Sequence, residues 1–165
     1  MRHLKKSLIL LFAFILQNAF GGYIEILGIK PSILTVVVII FSLGGDNEWE
    51  SLIYGVSAGV IYDVIWGRVF GLMTVMLTVL AVAVYYIGEF LYKKTATEAA
   101  VVTFFGTIVV EALCYGANFT LFGEGSFFYV LLRIIIPTGA YNAIISAICY
   151  HLLSKVTVSK KGENV

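Results

Sequence analysis

VFGLMTVMLTVLAVAVYYIGEFLY, residues Val69–Tyr92, runs for 24 residues with one charge, Glu89, close to its end. Coiled as a helix it reaches about 36 Å, enough to cross a hydrocarbon core of roughly 30 Å. The chain on either side has the same character. Upstream, Gly67-Arg68 makes a tight connection to a third apolar segment, about Ser51–Trp66, which contains Asp63. Before it come the acidic loop Asp46–Glu50 and a short second segment, about Pro31–Gly44, with Pro31 suited to a first helical turn. The first segment, about Ser7–Ile24, follows the basic start Arg2-His3-Leu4-Lys5-Lys6. Downstream, Lys93-Lys94 opens the loop to a fifth segment, about Ala99–Leu121, and Gly123-Glu124-Gly125 turns the chain into a sixth, about Phe127–Leu153. The tail from Lys155 is basic.

Composition agrees with that pattern. Of 165 residues, 60% are hydrophobic and 13% charged, about half the charge of a soluble domain, and mean hydropathy is +0.97. The expected fold is therefore all-α: one polytopic transmembrane domain over residues 1–165, built of six spanning helices, with no room for a soluble catalytic domain. A net charge of +1 without a basic, aromatic-interleaved patch argues against nucleic acid as a partner. Cys114 and Cys149 fall inside apolar runs and read as small hydrophobes rather than a disulfide or metal pair, so no cofactor is expected. The basic start followed by an apolar run also fits a secretory signal, but bulky Phe20 beside Ala19 makes a poor cleavage site, and a first membrane helix is the better reading.

Six spans put both termini on one side. Arg2, Lys5, Lys6, Lys93, Lys94, Lys155, Lys160 and Lys161 share that side, against Lys30 and Arg68 on the other, so both termini are expected in the cytoplasm. No internal repeat is convincing enough to suggest an inverted-repeat transporter.

Charges inside such segments are expensive, on the order of 3 kcal/mol at mid-bilayer, so each needs a reason. Gly55, Gly59 and Asp63 recur at intervals of four and share a helix face, where small residues admit a neighbouring helix. Asp63 and Arg133 come out at similar depth in the outer half, and a pair between them is expected. Thr107, Glu111, Cys114 and Asn118 make a polar stripe on the fifth segment, an inward face or the wall of a small polar cavity. Asp63, Glu111, Asn118 and Arg133 are thus the candidate intramembrane polar cluster. Pro137 frees a backbone carbonyl and should kink the last helix, with Thr138 and Asn142 placed to satisfy freed groups or bond a neighbour. Gly55-Val-Ser-Ala-Gly59 matches the serine-nucleophile pattern, and His151 could be named as its base. The strand before the serine is missing, so Ser57 reads as helix packing, His151 as an interfacial residue, and no catalytic residue is expected.

Several of these residues together resemble a family. Gln17-Asn18 closing the first span, Leu27-Gly28-x-x-Pro31 opening the second, Gly55-x-x-x-Gly59-x-x-x-Asp63 and Gly67-x-x-x-Gly71 around the third connection, and Arg133-x-x-x-Pro137-Thr138-x-x-Tyr141-Asn142 in the last helix resemble the rod-shape-determining protein MreD. The chain departs from that pattern at Ser32, where the family often carries an acidic residue. The resemblance implies a non-enzymatic inner-membrane scaffold of the bacterial cell-elongation machinery that binds MreC. It also implies work alongside MreB, RodA and a class B penicillin-binding protein in regulating peptidoglycan synthesis. The family is similar in architecture to the substrate-binding S components of energy-coupling-factor vitamin transporters, which supplies the alternative function. On the scaffold reading, Gly55, Gly59, Pro137 and Asn142 are the candidate helix-packing or partner-interface residues, with a groove between helices near Gly55, Gly59 and the outer loops for MreC.

Overall fold

The computed structural model describes residues 2–20, 30–67, 69–91, 95–122 and 127–157. They form α1 (Arg2–Phe20), α2 (Ile33–Leu43), α3 (Glu48–Trp66), α4 (Leu72–Phe90), α5 (Ala96–Phe122), the short α6 (Phe127–Val130), a π-helical segment (Leu131–Ile135) and α7 (Ile136–Thr157), with no strand among the described residues. The last three are continuous, so six helical runs occupy the six apolar segments of the sequence.

Helix starts follow local chemistry. Asn47 caps α3, its Oδ1 accepting the Glu50 N–H at 2.9 Å, with Glu48 and Glu50 in the first turn facing the positive end of the helix dipole. This draws the helix start back to Glu48 from the expected Ser51. Thr95 and Glu98 form a reciprocal capping box, Thr95 N–H to Glu98 Oε2 at 2.9 Å and Glu98 N–H to Thr95 Oγ1 at 3.3 Å, so α5 begins ahead of the expected Ala99. The expected kink at Pro137 takes the form of the π segment just before it. There the Ile136 N–H reaches back to the Leu131 carbonyl, and the Thr138 hydroxyl donates to the Ile134 carbonyl at 2.7 Å.

The second segment is enclosed by the other helices. Its 11 residues rise only about 17 Å. Every residue from Leu34 to Leu43 is buried, and α2 touches α1, α3, α4, α5 and α7. A helix apolar on all sides has no solvent-facing stripe and belongs inside a bundle. Two antiparallel pairs, α3 with α4 and α5 with α7, flank this axis. Three helices, α4, α5 and the run ending in α7, are each long and apolar enough to cross a membrane. Their outward rows are apolar at helical spacing: Val101, Phe105, Val109 and Leu113 on α5, and Ile144, Ile148 and Leu152 on α7, are all exposed. Water would penalise such rows, whereas hydrocarbon matches them.

Gly55 and Gly59 set the spacing of α3 against α4. A Cβ on Gly55 would lie 2.8 Å from the Thr78 Cα and 2.9 Å from the Ala81 Cβ, and one on Gly59 would overlap the Thr74 Cα. The glycine face is therefore filled by α4 of the same chain. Among the described residues this face holds a packed helix and no open groove.

Candidate functional site

Polar groups gather at both ends of the bundle. At one end the Asp63 side chain, only 4% exposed, projects from the last turn of α3 onto the start of α4. Its Oδ2 accepts the Gly71 N–H at 3.0 Å, the Thr74 N–H at 2.8 Å and the Thr74 hydroxyl at 2.6 Å, and its Oδ1 accepts the Met73 N–H at 3.1 Å. Gly71, with φ +93°, has no side chain to cap α4 and turns the chain so that these amides converge. The carboxylate thus caps α4 from the preceding helix, with its charge held by the helix N-terminus. This corrects the expected Asp63–Arg133 pair. Arg133 is exposed, and its guanidinium lies 5.5 Å from the centre of the Tyr129 ring.

Beside this cap lies a chamber of about 330 Å³, walled by Tyr62, Asp63, Trp66, Met73, Glu111, Cys114, Tyr115, Asn118 and Phe119 among others. A second cavity of about 290 Å³, walled by Gln17, Asn18, Lys30, Pro31 and Ser32, shares Tyr62, Trp66 and Glu111 with the first. Three of the four residues of the expected polar cluster, Asp63, Glu111 and Asn118, therefore meet around one space, and Arg133 stands apart from them. Asn118 Nδ2 donates to the Cys114 carbonyl at 2.7 Å, while its Oδ1 is buried without a partner among the described residues. The Cys114 thiol lies 3.5 Å from the Met73 sulfur. Both cysteines are free, and the described residues contain no group of three metal-ligating side chains.

Asn142 is a three-helix junction. Its Oδ1 accepts the Ser32 N–H at 2.9 Å, and its Nδ2 donates to Thr107 Oγ1 at 3.3 Å. The Leu34 N–H donates to Gln17 Oε1 at 2.9 Å, so α2 is capped by side chains from α7 and α1. Both of these Asn142 bonds lie within the chain, and Pro137 directly follows the π-helical segment. Ser57 donates to the Ile53 carbonyl at 2.7 Å within its own helix, and His151 lies on the exposed face of α7.

At the opposite end is an ion pair that the sequence reading missed. Lys6 Nζ lies 2.6 Å from Glu50 Oε1, with both side chains buried, and stands 5.8 and 5.7 Å from the Phe41 and Tyr54 ring centres. Lys6 reads as a loop-side topology marker and Glu50 as part of an acidic loop, and nothing in their spacing links them. Glu50 Oε2 also accepts the Asp46 N–H at 3.3 Å.

Such a structure defines a helical membrane protein whose buried polar groups are spent mostly on joining helices, apart from those around the chamber. The family model described as rod shape-determining protein MreD matches residues 2–158, and the chain belongs to that family. It is thereby a cell-shape protein of the membrane, in a family of shape-determining proteins rather than of known enzymes. Comparisons with curated proteins and with solved structures found no match. The family motif around the third helix now has a physical meaning: two glycines admit α4, Asp63 caps it, and Gly71 turns into it.

Proposed function

We propose that this chain is a six-pass scaffold of the bacterial cell-elongation machinery in the inner membrane, with both termini cytoplasmic. On this reading it binds the single-span MreC and works with MreB, RodA and a class B penicillin-binding protein to regulate peptidoglycan synthesis. The observation that carries the proposal is the family match across residues 2–158. The charge distribution supports the orientation. Because α4 fills the glycine face, MreC is assigned to the outer helix surfaces and terminal loops instead. Affinity capture of the tagged protein from its native membrane in mild detergent tests the proposal. Recovery of a single-span MreC with synthase components is expected; their absence under conditions that preserve the elongation complex counts against it.

One observation, the chamber at the Asp63 end, favours a second reading, a solute-binding S component of a vitamin transporter. Recovery of paired ATPases with a transmembrane coupling subunit would replace the scaffold by that reading.

A further inference from the structure

We propose that the chamber at the Asp63 end binds a ligand through an ammonium group, seated between the Glu111 carboxylate and the aromatic walls of Tyr62, Trp66 and Tyr115. Three features of the walls converge on that chemistry. The first is charge. Two carboxylates, Asp63 and Glu111, border the space, and none of its described lining residues is basic. Asp63 is engaged by four donors, whereas Glu111 makes no hydrogen bond or ion pair among the described residues. The second is an excess of acceptors. The Glu111 carboxyl, with no donor among the described residues, calls for a group that donates, and an ammonium has donors and no acceptor. A neutral ligand can donate as well but does not balance a carboxylate's charge, and an anionic one is repelled by it.

The third is the aromatic lining. Indole and phenol faces attract a cation within about 6 Å, most strongly where water is excluded. The space, about 330 Å³, sits at the lower end of small-molecule sites, which start near about 300 Å³. Lys30 borders the neighbouring cavity and is not among the residues lining this one. The donor can be a free amine or the ammonium of a phospholipid headgroup, since both present the same chemistry to Glu111.

The test uses the full chain with Trp49→Phe, which leaves Trp66 as the one indole of a chain that has two. In detergent, Trp66 emission is titrated with ethanolamine and with ethylene glycol, a neutral analogue of similar size. The same protein in nanodiscs of phosphatidylethanolamine or phosphatidylglycerol tests the lipid-borne form. A saturable response to ethanolamine or to the phosphatidylethanolamine disc, at least tenfold weaker in Glu111→Gln and largely kept in Glu111→Asp, is expected. A response confined to the disc identifies the headgroup as the source. Equal responses to ethanolamine and ethylene glycol, an unchanged Glu111→Gln, or no saturable response to either amine form overturns the proposal. So does binding that appears only in Arg68→Gln, because the chain's own guanidinium would then be the chamber's cation. Thermal unfolding of each variant separates lost binding from lost folding.

Discussion

Replacing Asp63 by Asn tests whether the carboxylate is a helix cap or half of a pair with Arg133. The native side chain receives four hydrogen bonds, three on Oδ2 and one on Oδ1. In Asn the single oxygen can take the Oδ2 position, but the amide nitrogen then faces the Met73 N–H, donor against donor. One buried amide is orphaned at about 1–3 kcal/mol, and the remaining bonds lose their charge assistance. A net loss of roughly 2–4 kcal/mol follows, since such terms are sub-additive within one network. For a chain of this size each kcal/mol moves Tm by about 2–4 °C, so Asp63→Asn should unfold roughly 5–15 °C earlier. The readout is thiol labelling during a thermal ramp in detergent, because buried Cys114 becomes reactive as the bundle opens. Arg133→Gln, which removes an exposed guanidinium and its ring contact, should shift the same midpoint by less than about 2 °C. Equal losses in the two variants, or no loss in Asp63→Asn, would refute the capping argument.

Gly59→Ala forces a Cβ into the Thr74 backbone and should cost about 3 kcal/mol or more, seen as loss of the monodisperse peak in gel filtration. Gly116→Ala, with no atom within 4 Å of the added carbon, should be neutral or raise stability by up to about 1 kcal/mol. Lys6→Met removes one side of a buried ion pair with Glu50 and should destabilise by about 3–5 kcal/mol in the same thiol ramp. Adding Glu50→Leu should recover most of that loss, whereas an exposed pair would show little effect in either variant. Asn142→Ala removes both bonds of the three-helix junction and should cost about 2–4 kcal/mol, read as faster hydrogen exchange at the first turn of α2.

Long apolar segments such as Val69–Tyr92 declared the helical membrane class directly, because in hydrocarbon a backbone must satisfy itself and a helix does so locally. Helical spacing likewise declared the shared face of Gly55, Gly59 and Asp63, and the polar stripe holding Glu111 and Asn118. What lies opposite each face is a different matter. Asp63 and Arg133 sit at similar counted depth, but depth along a helix says nothing of rotation about it, and Arg133 turned outward. That the short second segment is wrapped by other helices was not legible, since an all-apolar run looks the same whether lipid or protein surrounds it.

The sequence by itself determined where helices form, which faces carry small or polar residues and, through the family motifs, what kind of protein this is. Those properties depend on residues within a few turns of one another. The tertiary structure alone decided that α2 is the axis of the bundle, that Asp63 caps α4 and that Lys6 meets Glu50, 44 residues away. It also decided that Glu111 and Asn118 border a chamber. The physical reason is that a buried charge accepts any partner that satisfies it, and only the packing of whole helices selects which one arrives.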